Sequence, residues 1–591
     1  MTYAAPLKDM RFVLRHLVGL DRVSALPGCD HVGAELVDAI LEEAGKFSAE
    51  ILAPLNAVGD QQGAHYANGA VTTPDGFKDA YARFVAGGWN ALACDPDYGG
   101  QGLPAAIAAP VEEMWQSANL SFSLCPLLTR GAVEALSLCG TEDQKARYLR
   151  RMVEGSWTGT MNLTEPQAGS DLAVVRTRAV PDGAHYRIHG QKIFITYGEH
   201  DFTENIVHLV LARLPDAPDG VKGISLFVVP KFLVNDDGSL GARNDVRCVS
   251  IEHKLGIHAS PTAILAFGDY EGAQGELIGE ANRGLEYMFV MMNAARFAVG
   301  LQGVAIAERA YQQALAYART RVQGTEVGVL GGPRVEIFRH PDVKRMLLEM
   351  KSRTEAMRSL AYITAAALDA ARRHADPDER ASQLARAELL IPVVKGWCTE
   401  NAIEIASLGI QVHGGVGFIE ETGAAQHYRD ARILAIYEGT TAIQANDLIG
   451  RKLTRDHGAA PRSLIAEMRA TATTYENTAL SDAIIALATT VDWVLATHRQ
   501  DPRATAAVSV PLLKLFGVVA GGWQMASAAL VAQEKLTRDD LASDDSGEKF
   551  LRAKLATARF YMLHVLPQAT ALAHTIGHGG AATLDDAAFA A

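Results

Sequence analysis

The sequence predicts an α+β protein that is mostly α. It is helical at its start, β-rich in a central block, helical again, and then extended by a further helical region. Three observations carry this. Apolar residues recur at helical spacing over residues 1–160 and 286–456, and the spacing drops to two over 161–285. After the break His457-Gly-Ala-Ala-Pro461, the Ala-rich segment 457–591 returns to helical spacing. These four stretches are the expected domains.

In the first block, helices are expected over 32–53, 75–87, 106–119 and 132–152. The run Asp95-Pro-Asp-Tyr-Gly-Gly-Gln-Gly-Leu-Pro104 is a loop that no helix can cross. In the second, His185–Thr196 reads as a strand, a Gly turn and a strand, and 205–214, 223–230, 246–251 and 262–270 are further Val/Ile/Phe-rich strands. In the third, helices are expected over 287–320, 342–371, 380–408 and 442–453, the second opened by His340-Pro341. Residues 462–591 carry 11 Lys/Arg against 13 Asp/Glu and no assignable motif. They read as an appendage packed on the core or on a neighbouring subunit, with membrane docking or a second site as the alternatives.

At about 100–200 residues per domain, 591 residues suggest three or four domains. A net charge of −13 argues against general nucleic-acid or anionic-membrane binding. Six scattered cysteines without C-x-x-C fit a reducing compartment and offer no metal spacing; no metal is expected. The first twenty residues mix Lys, Asp and Arg into a short apolar pattern, unlike a secretion signal. No stretch of about 18 uninterrupted apolar residues occurs, so a cytoplasmic protein is expected, with membrane association not indicated.

The chemistry points to Ile436-Tyr-Glu-Gly-Thr-Thr441. It sets one carboxylate, Glu438, in an apolar-flanked turn before a helix, where burial raises a carboxyl pKa towards that of a usable base. Four other segments bear on it. Met161-Asn-Leu-Thr-Glu-Pro-Gln-Ala-Gly-Ser-Asp171 joins two hydroxyls, Thr164 and Ser170, to Gly169 and backbone amides, as a polar heterocycle or phosphate requires; it equally reads as a strand-capping turn. In a regular strand Phe194 and Thr196 share a face, a platform for a flat ring or simply core. Gly414, Gly415 and Gly417 in Gln411–Gly417 allow close backbone approach, or end a helix. Asn293-Ala-Ala-Arg296 and Arg319-Thr-Arg-Val-Gln-Gly324 offer guanidinium groups for phosphate or carboxylate, where surface arginines are the ordinary case.

The order and spacing of these segments, with Asp97-Tyr-Gly-Gly-Gln-Gly102 and Gly140-Thr-Glu-Asp-Gln-Lys145, resemble the acyl-CoA dehydrogenase family of flavoproteins from about residue 14 to 453. The length, the N-terminal Tyr3, Pro6 and Asp9–Leu14, and the helical extension resemble one bacterial branch of it. The resemblance implies a helical N-terminal domain, a central β-barrel-like domain and a C-terminal four-helix bundle, with FAD between them. It implies that Thr164, Ser170, Phe194, Thr196 and Thr440 contact the flavin, and that Ser170 also lies near the CoA phosphates. Arg321, Gln411, Gly414 and Gly415 would hold the pyrophosphate and adenosine of a neighbouring subunit's FAD. The family's aromatic before the Gly is missing from Val322-Gln323-Gly324, which leaves Arg319 as a rival to Arg321. Asn293 and Arg296 would face the substrate, and Tyr437 and Gly439 flank the base on the substrate side.

The implied reaction is α,β-dehydrogenation of an acyl-CoA to the trans-2-enoyl-CoA. Glu438 takes the α-proton, the β-hydrogen leaves as hydride to the flavin, and electrons pass to electron-transfer flavoprotein. The thioester oxygen would be held by a ribityl hydroxyl and the backbone N–H of Glu438. Some branches carry the base on the substrate-facing helix instead; that position is Ala295 here, which has no carboxylate. A medium or long straight-chain acyl group is expected, with 3-methylthiopropanoyl-CoA as the alternative. An oxidase, and a non-metabolic DNA-binding flavoprotein, are remoter alternatives; the near-neutral C-terminal segment speaks against DNA. A homodimer is expected, with a tetramer as the alternative, and no nucleic-acid partner.

Overall fold

The computed structural model describes residues 3–537 and 545–590. The N-terminal block is helical: α1 (Leu7–Phe12), α2 (Ala34–Phe47), α3 (Phe77–Ala86), α4 (Ala105–Ala118), α5 (Leu120–Cys139) and α6 (Glu142–Glu154). Helices α4 and α5 are buried nearly all round, and the charged groups they carry into the interior, such as Glu112 and Glu113, are paired with arginines there. Between them Asn119 leaves the helical region and its side chain accepts from Phe122 N–H, capping α5. The expected stretch 132–152 is two helices, not one. Gly140 is extended, and Thr141 with Gln144 forms a capping box that starts α6 afresh.

An eight-stranded sheet follows, with a small separate hairpin (Phe232–Val234 and Leu240–Arg243) beside it: β1 (Trp157–Asn162), β2 (Arg178–Asp182), β3 (His185–Thr196), β4 (Asn205–Arg213), β5 (Ile224–Pro230), β6 (Val246–Ile251), β7 (Thr262–Phe267) and β8 (Ala273–Ile278). They pair in the order β6-β7-β3-β8-β5-β4-β1. Strand β2 pairs with β3 along its length and with β4 at Arg178–Arg213. The circuit β3-β8-β5-β4-β2 therefore closes on itself, which makes the domain barrel-like.

Strand β3 is continuous where a Gly turn was expected. It runs straight through Gly190, where a Cβ would stand 2.5 Å from Thr177 Oγ1. The partners change at this glycine: β3 pairs with β2 and β8 before it and with β7 from it onward. Near its end the pairing with β7 slips from Ala263–Ile195 to Leu265–Lys192, so β3 carries one extra residue. Phe194 sits in that bulge with φ 59°. The bulge breaks the strict alternation that would have put Phe194 and Thr196 on one face. Phe194 is thrown outward and is 59% exposed.

The next block is built on three long helices, α7 (Gly284–Thr320), α8 (Pro341–Arg373) and α9 (Pro377–His413), with α10 (Ala424–Arg432) and α11 (Thr441–Asp447) packed against α9. Last come α12 (Ala459–Tyr475), α13 (Thr478–His498), α14 (Ser509–Thr537), α15 (Asp545–Phe560) and α16 (Gln568–His578), with shorter helical turns between and after them. Helix α14 lies across α8, α9 and α11, and its glycines let it approach closely: a Cβ on Gly517 would stand 2.2 Å from the Trp397 ring. Although no 18-residue stretch is wholly apolar, α5, α7, α13 and α14 are long and apolar enough to cross a membrane; α5, α7 and α14 bury most of that surface inside the protein.

A buried ionic knot ties the blocks together. Arg358 of α8 pairs with Asp9 (2.6 Å) of α1, Glu113 (2.6 Å) of α4 and Glu308 (2.8 Å) of α7. Tyr362 donates to Glu113, and Lys554 of α15 reaches both Asp9 and Glu355.

Candidate active site

Glu438 stands in the turn that leads into α11, and its backbone is left-handed (φ 54°), as is that of Gly439 (φ 88°). Two consecutive residues in this region need outside support when one carries a side chain. Lys395 of α9 supplies it: its Nζ donates to Gly439 O at 2.6 Å. Gln444 Nε2 donates to Glu438 O at 3.0 Å, and the Thr440 hydroxyl oxygen caps α11 by accepting from Ile443 N–H. The turn is thus pinned from both sides, with the carboxylate left out of these bonds.

The charges around Glu438 set its proton affinity. Burial pushes its carboxyl up, while the cations of Arg296 and Lys395 pull it back, leaving it at about 7. Lys395, fully buried, is pushed down by burial to about 8, with Glu438 opposing. Arg296 is fixed by Asp447 at 3.1 Å, and its Nε is buried without a partner in the chain. A carboxyl near 7 between two cations can take a proton from a carbon acid at neutral pH.

The other expected site residues fall into three places. Near the base lie Arg296, Tyr437, Gly439 and Thr440, but the Tyr437 hydroxyl bonds Gln302 of α7. Asn293 is half-buried one helical turn before Arg296. The second place is the end of β3. Ile193 N–H donates to Thr164 O at 2.9 Å, which brings Thr164 beside Phe194 and Thr196. Buried Lys192 and Glu165, 2.8 Å apart, lock these two segments together, and Ser170 is exposed on the turn that follows.

The third place is a cavity of about 640 Å³ at the end of α7, where Arg321 meets Gly414 and Gly415, with Gln323, His340 and His413 also in its wall. Gln411 lies just before it, accepting the Gly414 N–H that ends α9. The rival Arg319 is held over the Phe338 ring at 5.6 Å. Sequence reasoning missed Lys395, Gln444 and Asp447. The signal for the first was a lone lysine within the apolar run Ile391–Cys398.

These residues fit a flavin dinucleotide. An exposed aromatic held out on a left-handed bulge suits a flat ring, and an Arg-and-glycine-lined cavity suits a pyrophosphate. Residues 35–156, 160–270 and 282–453 match the N-terminal, middle and C-terminal domains of acyl-CoA dehydrogenases, and 464–586 match the domain described as acetyl-CoA dehydrogenase C-terminal like. The chain belongs to the acyl-CoA dehydrogenase family, FAD-dependent oxidoreductases that act on CH–CH bonds.

Among particular relatives, it is 52% identical to 3-methylmercaptopropionyl-CoA dehydrogenase of Ruegeria pomeroyi over 97% of each chain. It is 35% identical to a butyryl-CoA dehydrogenase of Syntrophomonas wolfei, over 96% of this chain and 95% of that one. A solved acyl-CoA dehydrogenase from Bacillus anthracis in complex with FAD shares the fold, with a TM-score of 0.73 at 21% identity over 94% of this chain and 90% of that one.

Proposed function

We propose that this protein dehydrogenates a short acyl-CoA thioester to its trans-2-enoyl-CoA, with 3-methylthiopropanoyl-CoA as the first candidate. The observation that carries the chemistry is Glu438, held in its left-handed turn by Lys395 and poised near 7 between two cations. The full-length likeness to the Ruegeria enzyme supports the acyl group, and a straight-chain group of the same size, such as pentanoyl, is its near equivalent because sulfur and methylene differ little in bulk.

Glu438 takes the α-proton. Its own backbone N–H is the donor we assign to the thioester oxygen, where negative charge develops as the proton leaves. The charges of Lys395 and Arg296 favour the ionised base, and Lys395 also holds the turn that carries it. FAD, when bound, accepts the β-hydrogen as hydride. Phe194, Thr164 and Thr196 would hold its ring, and Arg321, Gly414 and Gly415 a pyrophosphate from a second copy of the chain. We assign electron-transfer flavoprotein as the onward acceptor.

Anaerobic mixing of the yellow protein with butanoyl-, octanoyl-, palmitoyl-, isovaleryl- and 3-methylthiopropanoyl-CoA tests this reading. Bleaching of the flavin band is expected with 3-methylthiopropanoyl- and butanoyl-CoA; none with any of the five would overturn it. Glu438→Gln is expected to keep FAD and lose at least about 10³-fold in the reduction rate, and near-normal reduction would remove Glu438 from the role.

A further inference from the structure

Two segments meet where Phe194 is thrown outward, and a buried ion pair joins them. Ile193 and Phe194 stand opposite the single residue Ile264 of β7, which makes the bulge. Inside it, Ile193 N–H donates to Thr164 O at 2.9 Å. The residue before, Lys192, reaches the same turn twice: its Nζ donates to Leu163 O at 2.9 Å and to Glu165 Oε1 at 2.8 Å. Bonds from two consecutive residues of β3 thus end on three consecutive residues of the turn.

Glu165 carries the tie further. Its carboxylate accepts from the backbone N–H groups of Arg176 (2.7 Å) and Thr177 (3.0 Å) and from the Thr177 hydroxyl (2.6 Å). Thr177 is seated against Gly190 of β3, where a Cβ would crowd its hydroxyl. Burial pushes the Glu165 carboxyl up, but Lys192 and the donors from Thr177 and Arg176 bring it down to about 2. Burial lowers Lys192 to about 8, so both groups are charged at neutral pH. Lys192 is 0% and Glu165 3% exposed, so neither touches a ligand itself. An apolar pair of the same bulk would fill this core as stably. It could not donate to Leu163 O or accept from residues 176 and 177.

We infer that Lys192 and Glu165 are positioning residues for the flavin: their pair holds the 163–165 turn against β3, and the turn holds open the bulge that turns Phe194 outward. The inference rests on the reading of Thr164, Phe194 and Thr196 as the residues that hold the ring. Without the pair, Ile193 loses Thr164 as its acceptor, β3 regains regular pairing with β7, and Phe194 returns to the alternation of the strand. The ring then loses its platform although no residue that touches it has changed.

FAD titration of the apoprotein tests this in the wild type, Lys192→Met, Phe194→Ala and the variant carrying both. Lys192→Met is expected to weaken FAD binding about tenfold. The variant carrying both is expected to lie within about threefold of Lys192→Met, since the platform is already gone. Losses that multiply to about a hundredfold, or FAD binding within about twofold of wild type in Lys192→Met, would overturn the inference. Lys192→Met leaves Glu165 buried and unpaired, so Glu165→Met/Lys192→Met, which removes both charges, is measured beside it. Its midpoint in denaturant is expected near that of the wild type while FAD binding stays about tenfold weaker. Recovery of FAD binding along with stability would make the pair a core element alone and overturn the inference. Should neither fold, Glu165→Gln keeps the shape, drops the charge and is read against Phe194→Ala in the same way. Unchanged FAD binding in Phe194→Ala alone sinks the ring assignment and the positioning role with it, whereas the dehydrogenase reading stands or falls separately on flavin reduction by acyl-CoA.

Discussion

Lys395 and Glu438 sit 43 positions apart in sequence and act on one another's protons. The ammonium favours the ionised carboxyl, so at a pKa of about 7 Glu438 is protonated below neutrality and charged above it. kcat/KM is therefore expected to rise with pH through about 7. Lys395→Met removes a cation that lowers this pKa, so the rising limb moves to higher pH, while Lys395→Arg holds it nearer the wild-type position. An unmoved limb in Lys395→Met would show that the lysine only supports the turn. Glu438, Arg321, Gly414 and Gly415 could be nominated from the sequence because they lie in motifs whose order and spacing resemble the acyl-CoA dehydrogenase family, and the structure sets Arg321 beside Gly414 and Gly415. Lys395 could not, because what gives it meaning is the Gly439 carbonyl on a different element.

At the scale of elements, β3 does the most to shape the cofactor side. Phe194 is largely exposed and packs in no core cluster, so Phe194→Ala is expected to change folding stability by less than about 0.5 kcal/mol. The same change is expected to weaken FAD retention by about tenfold, read by titration of the apoprotein. A large loss of stability with unchanged FAD affinity would make Phe194 a structural residue. The helical blocks were legible because their apolar stripes are long. Strands β1, β2 and β8 escaped detection for separate reasons: β1 is buried on both faces and shows no alternation, β2 holds Pro181, and β8 mixes Gly275 with Gln274 and Glu276. The bulge at Phe194 was not legible either, since it is defined by the pairing partner β7.

In the whole molecule, Arg358 is the point where the N-terminal helices, the bundle and, through Asp9 and Lys554, the C-terminal helices meet. Replacing it with Met leaves Asp9, Glu113 and Glu308 facing one another without their shared cation. A loss of about 3–5 kcal/mol is expected in chemical denaturation. A loss below about 1 kcal/mol would mean that Lys554 and solvent compensate. Such a hub could not be read from the sequence, where its members are scattered among ordinary charged residues.

The close seat of α14 on Trp397 has a consequence for anyone rearranging this protein. Gly396 of α9 lies against Leu513, and Gly517 and Gly521 against Trp397, one and two positions from Lys395. The last 135 residues, 457–591, are therefore not a cassette that can be traded between relatives at the seam near His457. A graft from a homologue with a bulkier residue at 517 or 521 would shift α9 and, with it, the lysine that steadies the base. A working chimera has to exchange the matching stretch of α9 as well.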